Sequence, residues 1–283
     1  MTIRMALTHT TSYRYGTPAT ASYNEARLEP RSDRRQTVLS WDLDVSPAAR
    51  IGHHVDYWGT MVHHFDIQGP HSELTVVARA VVEAGMVEVG PGDATWDDLA
   101  SPEVEDRFHE LLVPTGVVDM DHEDIAAAAA EIRARSATPA EAAEAVAGWV
   151  HDTHVFEQGF TGITTTASEV LTARRGVCQD FAHLSLALLR SMGIPSWYVS
   201  GYLHPTVDPE IEETVVGESH AWVAAWTGRV WPLDPTSLVP VHERHVRVAA
   251  GRDYHDVAPF RGLYAGSGEG DTLDVSVEVT RKA

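Results

Sequence analysis

The chain of 283 residues contains little cysteine, little lysine and no long apolar run. Cys178 is its one cysteine, which excludes an internal disulfide and any zinc site built from several cysteines. No run of about eighteen apolar residues is present, so no transmembrane helix is predicted. The first residues lead directly into polar sequence and lack the apolar segment of a signal peptide. We therefore expect a soluble, cytoplasmic protein.

Positive charge is also scarce. Lys and Arg together number 21 against 41 Asp and Glu, which gives a formal net charge of −20 at pH 7. Nucleic acids and anionic membranes both attract basic surfaces. The composition therefore predicts neither a nucleic-acid partner nor a membrane partner. Residues 83–146 hold 16 of the acidic side chains against 3 Arg, which is typical of a solvated, solubilising surface.

The pattern of the chain changes after its first third. Residues 1–84 alternate polar with β-branched or aromatic side chains at 8–15, 37–45 and 74–82, and turn sequences at 16–18, 29–33, 57–59 and 69–70 separate these runs. This pattern predicts an antiparallel, β-sandwich-like N-terminal domain. Residues 85–100 are predicted to be a linker that leads into a second domain over 101–283.

The second part of the chain mixes helix and strand patterns. Helices are predicted to begin at about residues 101, 121, 138 and 177, a strand at 197–203, a hairpin at 220–234 and a final strand at 271–280. The whole chain is therefore expected to be α+β. The final strand has no sequential partner, so we expect it to pair with an edge of the N-terminal sheet. That pairing is expected to bury a row of apolar side chains on one face, namely Leu273, Val275, Val277 and Val279.

Cys178 lies at the first turn of the helix predicted to begin near residue 177. Unpaired backbone amides and the positive end of the helix dipole stabilise a thiolate at such a position. The same amides can stabilise an oxyanion that forms during attack on a carbonyl group. The alternative is a small apolar cysteine that packs under the helix.

A thiolate nucleophile needs a base and a group that orients the base. With 16 histidines in the chain, the presence of one proves nothing. His183 lies five residues after Cys178 and faces away around the helix, so we expect it to be structural or exposed. His220 opens the predicted hairpin and Asp234 ends it, which brings them close without fixing a hydrogen bond. Asp234 alone is equally typical of a turn.

The motifs around these residues resemble the bacterial transglutaminase-like family. They are Gly176-Val177-Cys178-Gln179-Asp180, Gly193-Ile194-Pro195, Val199-Ser200-Gly201-Tyr202, Ser219-His220-Ala221-Trp222 and Leu233-Asp234-Pro235-Thr236. Residues 9–15, 24–31 and 69–71 are similar to the N-terminal β-domain of that family. Thr60 departs from it, because the family often has Asn after the glycine at this place. This difference concerns the β-domain alone.

The resemblance implies a papain-like catalytic domain in which a cysteine attacks a carbonyl group and forms a thioester acyl-enzyme. It assigns Cys178 as nucleophile, His220 as proton carrier and Asp234 as the residue that orients His220. Gln179, Tyr202 and Trp222 are candidates for oxyanion or substrate contacts. The expected substrate is a peptide or protein amide, no cofactor is implied, and hydrolysis is expected to exceed amine transfer.

Other interpretations of the sequence stay open. The protein could be an inactive transglutaminase-like module that binds or assembles with a partner through its β-domain. A group of histidines could hold a metal ion together with Asp56 and Asp66, although neighbouring strand residues face opposite sides and we expect solvated rings instead; these histidines are His53, His54, His63, His64 and His71. The acidic residues 208–213 could attract a cationic substrate or be simply solvated. The oligomeric state is not indicated.

Overall fold

The computed structural model describes residues 2–85, 89–206, 208–217, 219–266, 268 and 270–283. The strands are β1 (Thr2–Ala26), β2 (Gln36–Ser46), β3 (Gly52–Val55), β4 (Met61–Gly85), β5 (Val155–Phe156), β6 (Arg175–Gly176), β7 (Ser196–Leu203), β8 (Thr214–Gly217), β9 (His220–Trp226), β10 (Val230–Leu233), β11 (His245–Gly251), β12 (Phe260–Tyr264) and β13 (Thr272–Arg281). The α-helices are α1 (Trp96–Leu99), α2 (Pro102–Phe108), α3 (Glu123–Arg135), α4 (Pro139–Thr153), α5 (Ala167–Ala173), α6 (Cys178–Ser191) and α7 (Tyr254–Val257). None of the helices among these residues is long and apolar enough to span a membrane.

The fold is α+β, and its larger sheet is antiparallel. In the described part of the chain this sheet has seven strands in the order β2-β4-β1-β13-β8, with β3 added on β4 and β12 on β1. Its central strands β1 and β4 are 25 residues each. The period-two alternation of apolar side chains that predicts strands in the sequence matches the alternating burial along both of them.

Two of the predicted turns are wrong, because β1 and β4 run through residues 16–18 and 69–70 without ending. The pairing of β1 with β4 shifts its register between Arg14 and Ala19 and again between Ala19 and Ala21, and Gly69 lies opposite the second shift. Gly69 has a φ of 114°, which is open to glycine and unfavourable for other residues. A bulge at this place bends both strands while the ladder continues on either side.

The two halves of the larger sheet, on either side of the bend, share a hydrophobic core. Side chains from both halves of β4 share one hydrophobic cluster, namely Phe65 and Ile67 from the first half and Leu74, Val76 and Ala78 from the second. The two halves of the long strands therefore contribute to one common core on the same face of the bent sheet.

The smaller sheet has four antiparallel strands in the order β10-β9-β7-β11 among the described residues. Helix α6 packs on it through β9 and β7 and is also in contact with α3, α4 and α5. The sequence predicts one apolar face for α6, but residues 180–190 of this helix are buried all round. The helix is therefore the central element of the C-terminal half of the chain, and its N-terminal end with Cys178 emerges from that core.

The end of α6 follows from its sequence. Gly193 has a φ of 76° and follows the last helical residues. Its N–H donates to the carbonyl of Arg190, and the N–H of Ile194 donates to the carbonyl of Leu189. This pair of bonds is a Schellman motif, which satisfies carbonyls that the helix end leaves free. The next residue is Pro195, which cannot continue the helix.

The final strand joins the N-terminal sheet, as the sequence predicts. β13 pairs with β1 from Thr272 to Arg281 and with β8 at 277–280. Val277 and Val279 are buried, but Leu273 and Val275 are 53% and 42% exposed, so the expectation that all four are buried is wrong. The reason is that β13 passes from the core into an open cleft.

One hydrophobic core spans both sheets. It joins Met5, Leu7 and Val82 of the larger sheet to Leu184 and Leu188 of helix α6. Three strands from the C-terminal half of the chain, β8, β12 and β13, belong to the larger sheet. The residues between the sheets also pack closely, since the N–H of Gly92 donates to the hydroxyl of Thr227.

Candidate active site

Cys178 is the first residue of helix α6, and the backbone before it is held by Asp180. The carboxylate of Asp180 accepts hydrogen bonds from the N–H of Val177 at 2.7 Å and from the hydroxyl of Thr161 at 2.5 Å. A side chain on Gly176 would meet this carboxylate, because an ideal Cβ there lies 2.7 Å from Oδ2. Gly176 and Asp180 therefore fix the turn that presents the thiol at the positive end of the helix.

The hairpin of β9 and β10 brings His220 and Asp234 together. Val230 pairs with Trp226 and Leu233 with Val223, so Asp234 follows the end of β10 close to the start of β9. His220 Nε2 donates to Asp234 Oδ2 at 2.8 Å. Nδ1 is therefore the ring nitrogen available to the thiol of Cys178, which contributes to raising the pKa of this imidazole.

Asp234 is buried and accepts hydrogen bonds on both carboxylate oxygens. Its Oδ1 accepts from the backbone N–H groups of Thr236 and Ser237 at 2.9 and 3.3 Å. Its Oδ2 accepts from the hydroxyl of Ser237 at 2.6 Å and from Nε2 of His245 at 3.3 Å, in addition to His220. These donors fix the carboxylate in one orientation and stabilise its charge.

The charges of the site follow from these contacts. Burial alone would lower the pKa of His220, but the hydrogen bond to Asp234 and the interaction with Cys178 outweigh it and raise the pKa to about 10. Burial alone would raise the pKa of Asp234, but its hydrogen bonds to the two histidines hold it below its ordinary value. Burial lowers the pKa of His245. The arrangement thus favours a protonated His220 beside the carboxylate of Asp234 and a neutral His245.

Trp222 supports the ring of His220. The two rings stack with centroids 5.9 Å apart and planes at 30°, and the indole is buried. Gly201 is paired with His220 across the sheet and leaves room for that indole, since a Cβ at Gly201 would lie 2.7 Å from it. Trp222 was predicted as a substrate or oxyanion contact, and it lies behind the histidine and outside the lining of the cleft that contains Cys178.

Cys178 opens into a cleft of about 300 Å³ between the two sheets. One side of the cleft carries Cys178, Gln179, Tyr198, Ser200, Ser219, His220 and Ala221, and the larger sheet contributes His9, Thr11, Tyr13, Phe260, Leu273 and Val275. The N-terminal sheet therefore forms a wall of the cleft and packs against the C-terminal half of the chain.

The two other predicted contact residues lie in different places. Gln179 follows Cys178 and lines the cleft, where its amide donates to the carbonyl of Gly162 at 3.5 Å. Tyr202 is buried, and its hydroxyl is hydrogen-bonded to His9 Nδ1 at 3.0 Å. Tyr202 does not line this cleft. Its hydroxyl joins the two sheets instead of pointing at the thiol.

Sequence reasoning missed two residues of the site. His245 contacts Asp234 from β11, and a histidine at the start of an ordinary alternating strand gives no signal of such a role. Tyr198 lines the cleft, although its side chain is almost fully buried. Its pKa is raised well above the ordinary value by burial and then by the negative charge of Cys178 nearby. His183 is buried as predicted for a structural residue, and its Nε2 accepts from the N–H of Tyr254.

The histidines of the β-domain that the sequence leaves open as metal ligands do not form a cluster of metal ligands among the described residues. His63 is bonded to Glu29 at 2.7 Å and His71 to Ser22 at 3.2 Å. Both rings are buried, so the expectation that they are solvated is wrong, whereas His53, His54 and His64 are exposed. In the described ranges, the side chains with the spacing of metal ligands are His220, Asp234 and His245, whose ligand atoms lie within 4.8 Å of one another.

Known proteins resemble the chain over nearly its whole length. An uncharacterized protein of Mycobacterium leprae is 48% identical over 280 residues, with 99% of each chain covered. An uncharacterized protein of Mycobacterium tuberculosis is 35% identical over 296 residues, with 98% of this chain and 93% of that protein covered. Family profiles for the bacterial transglutaminase-like N-terminal region and the transglutaminase-like superfamily match residues 5–83 and 126–235. The chain belongs to the bacterial transglutaminase-like family.

A solved structure has the same fold. A protein from Cytophaga hutchinsonii described as a candidate cysteine protease superposes with a TM-score of 0.75 and covers 100% of this chain and 98% of its own. The two sequences are 20% identical, so the likeness is one of fold. In the present chain, the match to the profile of the N-terminal region covers β1 to β4. The match to the transglutaminase-like superfamily profile includes Cys178, His220 and Asp234.

Proposed function

We propose that the protein is a cysteine-dependent amide hydrolase, a peptidase or amidase, with Cys178 as nucleophile, His220 as proton carrier and Asp234 as the residue that orients His220. The observation that carries this proposal is the position of His220 between Cys178 and the buried carboxylate of Asp234. An imidazole with one ring nitrogen on a carboxylate and the other toward a thiol is the arrangement that nucleophilic cysteines require.

The proposed reaction has two steps. The thiolate of Cys178 adds to the amide carbonyl carbon, the C–N bond breaks, and His220 gives its Nδ1 proton to the leaving amine. Water then attacks the thioester, His220 accepts one water proton, and the C–S bond breaks. The carboxylic acid is released, and the thiolate of Cys178 is restored beside a protonated His220. The N–H groups of the first turn of α6 are donors for the oxyanion in both steps, with the Tyr198 hydroxyl as a further candidate.

Hydrolysis is favoured over amine transfer by the character of the cleft. Bulk water at about 55 M competes with an amine unless the site binds the amine and excludes water. The described residues that line the cleft include no Asp or Glu that would bind an ammonium group. The acidic loop is also engaged elsewhere, since Asp208 pairs with Arg281, Glu212 with Lys282 and Glu213 with Thr206.

The test is a panel of peptide amides, including Gln-containing peptides, incubated with and without a primary amine. We expect amide cleavage by the native protein, little incorporation of the amine at millimolar concentration, and no turnover by Cys178→Ala. Dominant amine incorporation would assign the protein as an acyltransferase. No turnover of any amide, with Cys178 no more reactive than a free thiol, would contradict the proposal and favour the binding module.

A further inference from the structure

The cleft has an apolar wall that the proposed reaction does not use. Leu273 and Val275 of β13 lie opposite Tyr13 and Thr11 of β1, and all four side chains line the cleft. Phe260 extends this wall, with its ring 5.4 Å from that of Tyr13. The wall belongs to the larger sheet, so it is separate in the fold from helix α6 and the hairpin that carry Cys178 and His220.

The exposure of this wall changes sharply along one face of one strand. Leu273, Val275, Val277 and Val279 alternate along β13 and share a face. Val277 and Val279 are 1% and 4% exposed, whereas Leu273 and Val275 are 53% and 42% exposed. β8 pairs with β13 at residues 277–280, and in the described part of the chain it does not continue along residues 272–276 of β13. The apolar face of β13 is therefore buried in the core at Val277 and Val279 and exposed in the cleft at Leu273 and Val275.

The described residues that line the cleft also include no acidic side chain, no lysine and no arginine. The chain carries a net charge of −20, yet none of the described residues that line the cleft is Asp, Glu, Lys or Arg. An uncharged apolar wall gains free energy when an apolar group displaces water from it, and it disfavours a charged group, which would lose its hydration there. This contrast distinguishes between classes of substrate side chain.

We infer that the wall formed by Tyr13, Phe260, Leu273 and Val275 is a substrate subsite that takes an apolar or aromatic side chain close to the scissile amide. The inference rests on the proposed function, because it assigns the acyl-donor specificity of the same cleft. The β-domain thereby contributes the residues that select the substrate, while the catalytic half contributes the residues that react.

The test compares quenched peptides that differ at one residue, placed either at the scissile carbonyl or one position before it. At the position that contacts the wall, we expect Leu or Phe to give a kcat/KM at least about 10-fold above that for Asp or Lys. Equal kcat/KM values for Leu, Phe, Asp and Lys at both positions would overturn the subsite.

The variant Leu273→Asp places a carboxylate in the wall at a half-exposed position. We expect it to lose about 10-fold in kcat/KM on Leu and Phe peptides and to gain on Lys peptides, while the rate of iodoacetamide labelling at Cys178 stays within about twofold of the native rate. Leu273→Met should retain the native preference. The matched control is Leu263→Asp, a leucine on β12 that is 77% exposed and outside the cleft lining. The inference would also be overturned if Leu273→Asp kept the native preference for Leu and Phe peptides. It would equally be overturned if Leu263→Asp changed that preference as much as Leu273→Asp does.

Peptide binding to the inactive variant Cys178→Ala distinguishes failure of the proposed function from failure of the subsite. The dissociation constants of the same peptides, measured by fluorescence anisotropy, test the subsite without any turnover. If the native protein cleaves nothing but Cys178→Ala prefers Leu and Phe peptides about 10-fold, the proposed function fails and the subsite stands. If the native protein cleaves amides and neither measurement shows a preference, the subsite fails and the proposed function stands.

Discussion

At the scale of single residues, two buried histidines share one carboxylate oxygen. His220 and His245 both donate to Asp234 Oδ2. Among the described residues, His245 Nδ1 is buried without a hydrogen-bond partner, so a proton there would be an unsatisfied donor in addition to a buried charge. The neutral form of His245 is therefore favoured, and the positive charge of the group belongs to His220.

Replacing Asp234 by Asn removes the charge that holds His220 protonated. We expect the pKa of His220 to fall from about 10, because burial then acts without the opposing carboxylate. Amide cleavage at pH 7 should fall on the order of 10³-fold. In the native protein, cleavage should decline as the pH rises through about 10, because a neutral His220 cannot protonate the leaving amine.

These expectations are checked by pH profiles of kcat/KM for the native protein, Asp234→Asn and the control Asp208→Asn. Asp208 lies on the acidic loop, is almost fully exposed and does not line the cleft. Asp208→Asn should retain the native profile. Comparable losses in the two variants would mean that general charge, and not the orientation of His220, matters to the reaction.

At the scale of elements, the turn before helix α6 is the point where packing positions the nucleophile. A methyl group on Gly176 would lie 2.7 Å from Asp180 Oδ2, whereas a methyl group on Gly148 in α4 would meet nothing within 4 Å. We expect Gly176→Ala to lower the free energy of unfolding by about 1–3 kcal/mol and to slow the labelling of Cys178. Gly148→Ala should raise the free energy of unfolding by about 0.5–1 kcal/mol, since alanine is the better helix former.

Urea unfolding of both variants measures these changes, and iodoacetamide labelling reports on the site. If Gly176→Ala keeps native stability and native labelling, Asp180 does not constrain the first turn of α6. The free energy of unfolding is expected to fall in Gly176→Ala and to rise in Gly148→Ala. Because both variants replace glycine by alanine, a general effect of this replacement cannot explain opposite changes.

At the scale of the whole molecule, His9 and Tyr202 join the larger sheet to the smaller one. Burial lowers the pKa of His9 to about 4, below the ordinary value of about 6.5. Between these values the unfolded chain binds a proton that the folded chain does not, so stability falls as the pH is lowered. His9 alone should reduce the free energy of unfolding by about 2 kcal/mol between pH 7 and pH 5.

Urea unfolding at pH 7 and pH 5 checks this expectation. His9→Gln should lose about 2 kcal/mol less stability over this interval than the native protein. Tyr202→Phe removes the hydrogen bond but retains the histidine, so it should keep most of the native pH dependence. If His9→Gln loses as much stability between pH 7 and pH 5 as the native protein, groups other than His9 cause the acid sensitivity.

The sequence predicts the order of the elements well and their three-dimensional relations poorly. The helix that begins at Cys178 and the hairpin that carries His220 and Asp234 follow from local periodicity and turn chemistry. The bend of β1 near residues 16–18 does not, because turn-forming residues also occur in bulges. The exposure of Leu273 and Val275 depends on a cleft between two sheets, which alternation along one strand cannot encode.

The central claim is that His220 activates the thiol of Cys178. Because Cys178 is the one cysteine of the chain, the rate of iodoacetamide incorporation reports on this site alone. We predict that the native protein is labelled faster than a free model thiol near neutral pH and that His220→Ala is labelled more slowly than the native protein. Labelling of both proteins no faster than the model thiol would contradict the account.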